Sequence, residues 1–170
     1  MLKQRRLILA AVAAAASVFA AAVLLMGGKT APAAPAVTFI SIEGEKIATA
    51  DLRGKVVLVN FWATDCAVCV REMPQITATY DKFRARGFET SAVAMRHDPP
   101  NHVLAYVAKN KLPFKVALDP MGELARAFGD VRLTPTTFII DRQGRIIKRI
   151  VGEPDFAKLH ALLEEKLKGS

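Results

Sequence analysis

Residues 56–62 read Val-Val-Leu-Val-Asn-Phe-Trp, apolar at every position but Asn60 and rich in β-branched side chains. A run of this length and kind predicts a strand covered on both faces of a sheet. Downstream the period changes. Val70, Met73, Ile76, Thr77, Tyr80 and Phe83 recur at spacings of three and four, which predicts an amphipathic helix to about Arg86, stopped by Gly87 and interrupted by Pro74. Phe88–Ala94 reads as a second buried strand, parallel to the first by the rule for strand–helix–strand units.

The flanking segments extend this α/β pattern. Val37–Ile42 alternates weakly as a strand, with a short return at Lys46-Ile47 and a turn of helix over Asp51–Lys55. Residues 95–101, with Pro99-Pro100, read as a loop carrying His97 and Asp98. A short helix is expected around Val103–Val107, a strand at Phe114–Leu118 and another short helix from Gly122 to Phe128. Thr134–Ile140 begins with a proline, where no ladder donor is needed, and turns through Asp141–Gly144 into a return strand at Arg145–Val151. Pro154 is expected as the first residue of a last helix striped by Phe156, Leu159, Leu162, Leu163 and Leu167. There is no internal repeat.

Ahead of this lies a different pattern. Lys3, Arg5 and Arg6 precede an uncharged apolar run from Leu7 to Met26, long enough to cross a hydrocarbon core as a helix. The expected division is therefore a membrane anchor at 1–27, a linker at 28–36 with Pro32 and Pro35, and one domain at 37–170. A cleaved signal sequence is the other reading, given the small residues at 33–36. The basic N-terminus stays cytoplasmic under the positive-inside rule, which puts the domain outside. The net charge of +8 is spread along the chain rather than blocked, which argues for a solvated basic surface and against nucleic-acid binding.

Cys66 and Cys69 are the only cysteines, and they fall where the strand gives way to the helix. Residues three apart in a first helical turn share a face, so a disulfide can open and close with little backbone movement. The helix N-terminus favours a thiolate on the first cysteine. An attacking thiolate with a resolving neighbour is the minimum apparatus for thiol–disulfide exchange. Cys66 is the attacker by position and Cys69 the resolver. A purely structural disulfide over so short a loop constrains the unfolded chain little. A zinc site would need further ligands, and His97, His102 and His160 are scattered, so no metal site is expected. Glu72, one turn past Cys69, can relay a proton to the resolving sulfur; the alternative is a solvated helix glutamate.

The string VLVNFWATDCAVCVREMP at 57–74, followed by LTPTTFIID at 133–141, resembles membrane-anchored thiol–disulfide oxidoreductases of the TlpA/ResA kind. The resemblance implies a thioredoxin fold with an N-terminal β extension and a central insertion, preceded by one transmembrane helix. It also implies a cis Thr134–Pro135 bond facing the cysteines, where the Thr134 backbone meets an extended substrate. Glu72 matches a functional acid of the family, and Trp62 either shields the sulfurs or belongs to the core. The implied place is the periplasmic side of the bacterial inner membrane. The implied partners are protein disulfides, among them apocytochrome c, and a transmembrane electron donor; the cysteine pair serves with no other cofactor.

Two positions depart from the family, which usually has Trp at Asp65 and Pro at Val68. A carboxylate beside Cys66 opposes its thiolate, or caps the helix and uses part of its positive potential, while Ala67 and Val68 add no charge. The expected outcome is a Cys66 thiol titrating near or above the free-cysteine value, which suits a reductant. The alternatives are an oxidising exchange enzyme or a copper-site assembly factor. The second lacks an evident third ligand. A peroxidase would need threonine at Ala63, and nothing resembles the dimerisation domain of an isomerase.

Overall fold

The computed structural model describes residues 31–168. The expected anchor, and the first residues of the expected linker, lie outside them. Among the described residues no helix is long and apolar enough to cross a membrane.

A small hairpin comes first, β1 (Thr38–Ile40) antiparallel to β2 (Lys46–Ala48). A 3₁₀ turn over Thr49–Leu52 follows, slightly earlier than the expected turn, and leads to β3 (Val56–Trp62). Then come α1 (Ala67–Phe83), β4 (Phe88–Ala94), α2 (Pro100–Asn110), β5 (Lys115–Leu118) and α3 (Glu123–Ala127). The chain closes with β6 (Thr136–Ile140), β7 (Ile146–Val151) and α4 (Phe156–Lys168). The main sheet has the order β5-β4-β3-β6-β7, parallel on the β5-β4-β3 side and antiparallel across β3-β6-β7. The expected insertion thus supplies α2, the edge strand β5 and α3, and the hairpin meets that edge through a bridge from Ser41 to Ala117.

β3 is the central strand, and all seven of its residues are buried. The period of two divides them between two cores. Val56, Leu58 and Trp62 pack with Met73, Ile76 and Phe83 of α1 and with Leu159, Leu163 and Leu167 of α4. Val57, Val59 and Phe61 pack on the opposite face with Phe39, Leu124, Phe128 and Phe138. Asn60 has the parity of Leu58 and Trp62, so the one polar residue of the strand is aimed at α1.

α1 ends at Phe83, with a 3₁₀ turn over Arg84–Arg86 completing the expected span, and three further differences from expectation have local reasons. α2 begins at Pro100, inside the expected loop, because its fixed φ suits a first helical position and its missing N–H is not needed there. Pro154 does not open the last helix. Asp155 intervenes, its carboxylate accepting the Lys158 N–H at 3.1 Å, so Asp155 caps α4. The end of the expected linker is extended but not free: Ala34 N–H donates to Gly144 C=O and Ile146 N–H to Pro32 C=O, each at 2.8 Å. These bonds satisfy backbone groups at the β6–β7 turn that would otherwise need water.

Candidate active site

α1 starts at Cys66. This residue has extended backbone (φ −88°, ψ 101°) and is the N-cap, its Sγ accepting the Cys69 N–H at 3.2 Å and its C=O accepting the Val70 N–H at 3.0 Å. The helix N-terminal potential therefore falls on the Cys66 sulfur itself. The idea that Asp65 caps this helix is corrected here, since the cysteine occupies the cap and Asp65 precedes it. Cys66 and Cys69 are joined as a disulfide with Cα atoms 5.2 Å apart. Cys66 is half-buried, whereas Cys69 is fully buried in the core with Trp62 and Met73. The difference suits the expected division of labour, because only Cys66 can meet a large partner.

The segment before Cys66 is held by Asp98. Its buried carboxylate accepts the Thr64 N–H at 2.6 Å and the Thr64 hydroxyl at 2.5 Å. Asp98 thus clamps the β3–α1 turn from the β4–α2 loop. Asp65 projects into solvent, with His97 Nε2 3.5 Å from its carboxylate. Ala67 is exposed and Val68 half-buried beside the disulfide.

Glu72 is not a solvated helix glutamate. It is fully buried, one turn beyond Cys69 on the same face of α1, and accepts a hydrogen bond from Asn60 Nδ2 at 3.0 Å. The same Asn60 nitrogen donates to Thr137 Oγ1 at 3.0 Å, across the β3–β6 register pair. Glu72 Oε2 and Asn60 Oδ1 are buried with no partner. Burial pushes the Glu72 carboxyl up to about 7, with a smaller contribution from the Glu153 charge, against the opposing effects of the Asn60 bond and Arg71. A carboxyl raised to about 7 can take up or release a proton near neutral pH, one helical turn from Cys69.

Trp62 lies wholly in the core, its ring centroid 5.1 Å from that of Tyr106 and its Nε1 unpartnered. The Thr134–Pro135 peptide bond is cis. Phe61 pairs with Thr136, so Pro135 stands level with the end of β3, at the edge of the sheet from which the cysteine turn departs. Pro135 C=O accepts the Gly152 N–H at 2.8 Å, and the Thr136 hydroxyl donates to Leu133 C=O at 2.7 Å. Thr134 itself is half-buried. The sheet thereby brings Cys66, Cys69, Glu72, Trp62 and the Thr134–Pro135 bond to one end of β3. Among the described residues no group of three or more His, Cys, Asp or Glu side chains is arranged to hold a metal ion.

Sequence reasoning missed Asn60, Thr137, Thr64 and Asp98. Asn60 carried a signal, as the single polar residue in a run otherwise apolar. Asp98 carried none, because nothing in a polar loop distinguishes a buried clamp from a solvated aspartate.

The Redoxin family profile matches residues 28–163. The thiol-disulfide oxidoreductase ResA of Bacillus thuringiensis subsp. konkukian is 36% identical over 133 residues, covering 78% of this chain and 75% of that protein. A putative thioredoxin from Neisseria meningitidis, solved in solution, superposes with TM-score 0.76 at 38% identity, covering 82% of this chain and 93% of that one. A putative thiol:disulfide interchange protein DsbE from Chlorobium tepidum superposes with TM-score 0.74 at 30% identity, covering 81% and 96% respectively. With a thioredoxin-like mixed sheet and a Cys-x-x-Cys disulfide at the head of its first helix, this chain belongs to the Redoxin family, as a TlpA/ResA-like thiol–disulfide oxidoreductase.

Proposed function

We propose that this oxidoreductase works as a reductant of protein disulfides outside the cytoplasmic membrane. The observation that carries the reading is the pairing of a half-exposed Cys66 at the helix N-cap with a buried Cys69 one turn from the buried acid Glu72. In the reduced protein the Cys66 thiolate attacks one sulfur of a substrate disulfide. A Cys66–substrate disulfide forms, and the first substrate sulfur leaves as a thiolate that takes up a proton. Cys69 then passes its proton to the Glu72 carboxylate and attacks Cys66 Sγ. The second substrate thiol departs, and two electrons have moved from the dithiol to the substrate. The Cys66–Cys69 disulfide is the product state. A dithiol donor restores the thiols by the reverse sequence, with Glu72 returning the proton.

Three features support the direction. Asp65 sets a negative charge next to Cys66, Ala67 and Val68 add no compensating charge, and burial of Cys69 opposes its ionisation. These features oppose the stabilisation that the helix N-terminus gives the Cys66 thiolate. The less the thiolate is stabilised, the more the disulfide is favoured and the more readily the dithiol gives up its electrons. The Thr134 backbone, beside the cis bond, offers main-chain groups to an extended substrate segment. No cofactor beyond the cysteine pair is needed for this chemistry. The apolar run Leu7–Met26 supports a single-pass anchor, with the domain on the periplasmic side of a bacterial inner membrane and a transmembrane protein as the electron source. Apocytochrome c is the substrate class proposed, because its haem-binding cysteines must be reduced before attachment. The experiment is to express Cys69→Ser in the native envelope and identify what it traps. Apocytochromes c held to Cys66 through a reducible bond are expected; their absence, with other proteins trapped instead, would remove that substrate class.

A further inference from the structure

Near the redox pair lies a cavity of about 510 Å³, lined by Met95, Gly122, Ala125 and Val131 together with a group of basic side chains. Arg96, Arg126, Arg132 and His97 line it, and Asp130 is the only carboxylate among its lining residues. Two of these side chains already have a carboxylate beside them, Arg132 with Asp130 and His97 with Asp65. Arg96 and Arg126 enter no ion pair among the described residues; the Arg126 guanidinium donates to the Met121 C=O, at 2.8 Å.

The two arginines also converge. A Cβ added at Gly122 would lie 3.3 Å from Arg126 Nη1 and 3.4 Å from Arg96 Cδ, so both side chains fold over a glycine held at φ +69°. Like charges gathered without a counter-charge repel one another, and an incoming anion relieves that repulsion while meeting several N–H donors. Exposed apolar residues adjoin the lining residues Gly122 and Arg132 in the chain. Met121 and Leu133 are 68% and 65% exposed, and Leu133 directly precedes the Thr134–Pro135 bond. The cavity is joined to the site at both ends, through His97 to the residue before Cys66 and through Arg132 to the approach to Pro135.

We infer that this cleft is a specificity subsite that takes a carboxylate side chain, Asp or Glu, from an extended segment flanking the target disulfide, with Arg96 and Arg126 as its ligands and Met121 and Leu133 receiving a neighbouring apolar residue. The inference rests on the thiol–disulfide exchange activity and adds to it a preference for acidic substrates. It also gives the basic surface a local use, since a cationic cleft beside the nucleophile steers acidic partners towards it.

The test uses the full chain in a neutral detergent and two peptides of equal length, in one of which Glu and Leu alternate around a cystine while the other has Gln for Glu. Turnover by the reduced protein gives KM and kcat for each. Cysteine-free versions, read by fluorescence anisotropy against the oxidised protein, give affinity independently of exchange. The Glu peptide should bind about tenfold more tightly than the Gln peptide, with the difference in KM rather than kcat. Half a molar sodium chloride, or Arg96→Gln combined with Arg126→Gln, should shrink it to less than twofold. Both substitutions are at exposed positions, and Arg96→Lys with Arg126→Lys should restore part of the preference. Equal binding of the two peptides by the wild type, or a preference that survives the double Gln variant, would overturn the inference. Absence of turnover with both peptides would instead strike at the exchange reading, with the anisotropy still deciding the subsite.

Discussion

Glu72→Gln separates what the buried acid does for catalysis from what it costs the fold. In the folded protein the carboxyl is pushed from 4.5 to about 7, chiefly by burial. A raised value means that the native state holds this proton more tightly than the unfolded chain does. The associated stability is fully present below about 4.5 and is lost as pH rises through about 7. At roughly 1.4 kcal/mol per pH unit, the loss by pH 8 comes to about 3 kcal/mol. Glutamine keeps an oxygen for the Asn60 Nδ2–H and never ionises, so it avoids the loss. The variant should therefore match the wild type near pH 4.5 and exceed it by about 3 kcal/mol at pH 8. With an m value of about 2 kcal/mol/M, that is a rise of about 1.5 M in the urea midpoint. The assay is urea unfolding of the oxidised proteins at half-unit intervals from pH 4.5 to 8. The same variant should slow attack by Cys69 on the mixed disulfide by about 10²-fold, since the proton acceptor is gone. Parallel stability profiles for wild type and variant would refute the reasoning, because they would mean that the carboxyl is not carried into the core as a titrating group.

Asp98→Ala should cost about 1–3 kcal/mol, read from thermal unfolding, because it strands the Thr64 N–H and hydroxyl that its carboxylate receives. Asn60→Ala removes the side-chain donor to Glu72 and should raise the Glu72 value further, seen as an upward shift in the pH profile of the resolving step. Asp65→Asn in a Cys69→Ser background should lower the Cys66 titration, followed by thiolate absorbance, by less than one unit. Asp65 is 73% exposed and has His97 beside it, so water and the imidazole weaken its effect. The native protein should sediment with membranes and keep Leu7–Met26, as N-terminal sequencing of the purified protein would establish.

The elements that build the site were legible because their signals are local. The apolar run at 56–62, the change to a helical period after Cys69 and the glycine at 87 located β3 and α1, and the spacing of the cysteines gave the chemistry. Three things escaped for one physical reason, that they depend on contacts remote in sequence. Asn60, Glu72 and Thr137 meet only once β6 pairs with β3, so burial of the acid cannot be read from the helix alone. Asp98 reaches Thr64 across 34 positions of chain. Residues 32–34 read as linker because their partners at 144–146 lie more than a hundred residues away. The departure at Asp65 was visible in the sequence, but its contact with His97 and the cap made by Cys66 itself were not.

The most direct test of the account is a single turnover of the reduced protein with one equivalent of a disulfide substrate, quenched by alkylation and read by mass spectrometry. Wild type should convert one substrate disulfide to two thiols for each Cys66–Cys69 disulfide formed. Cys69→Ser should stop with substrate bonded to Cys66, and Cys66→Ser should form no adduct. An adduct on Cys69 in the Cys66→Ser protein at a comparable rate, or reduction of substrate without formation of the Cys66–Cys69 disulfide, would contradict the account.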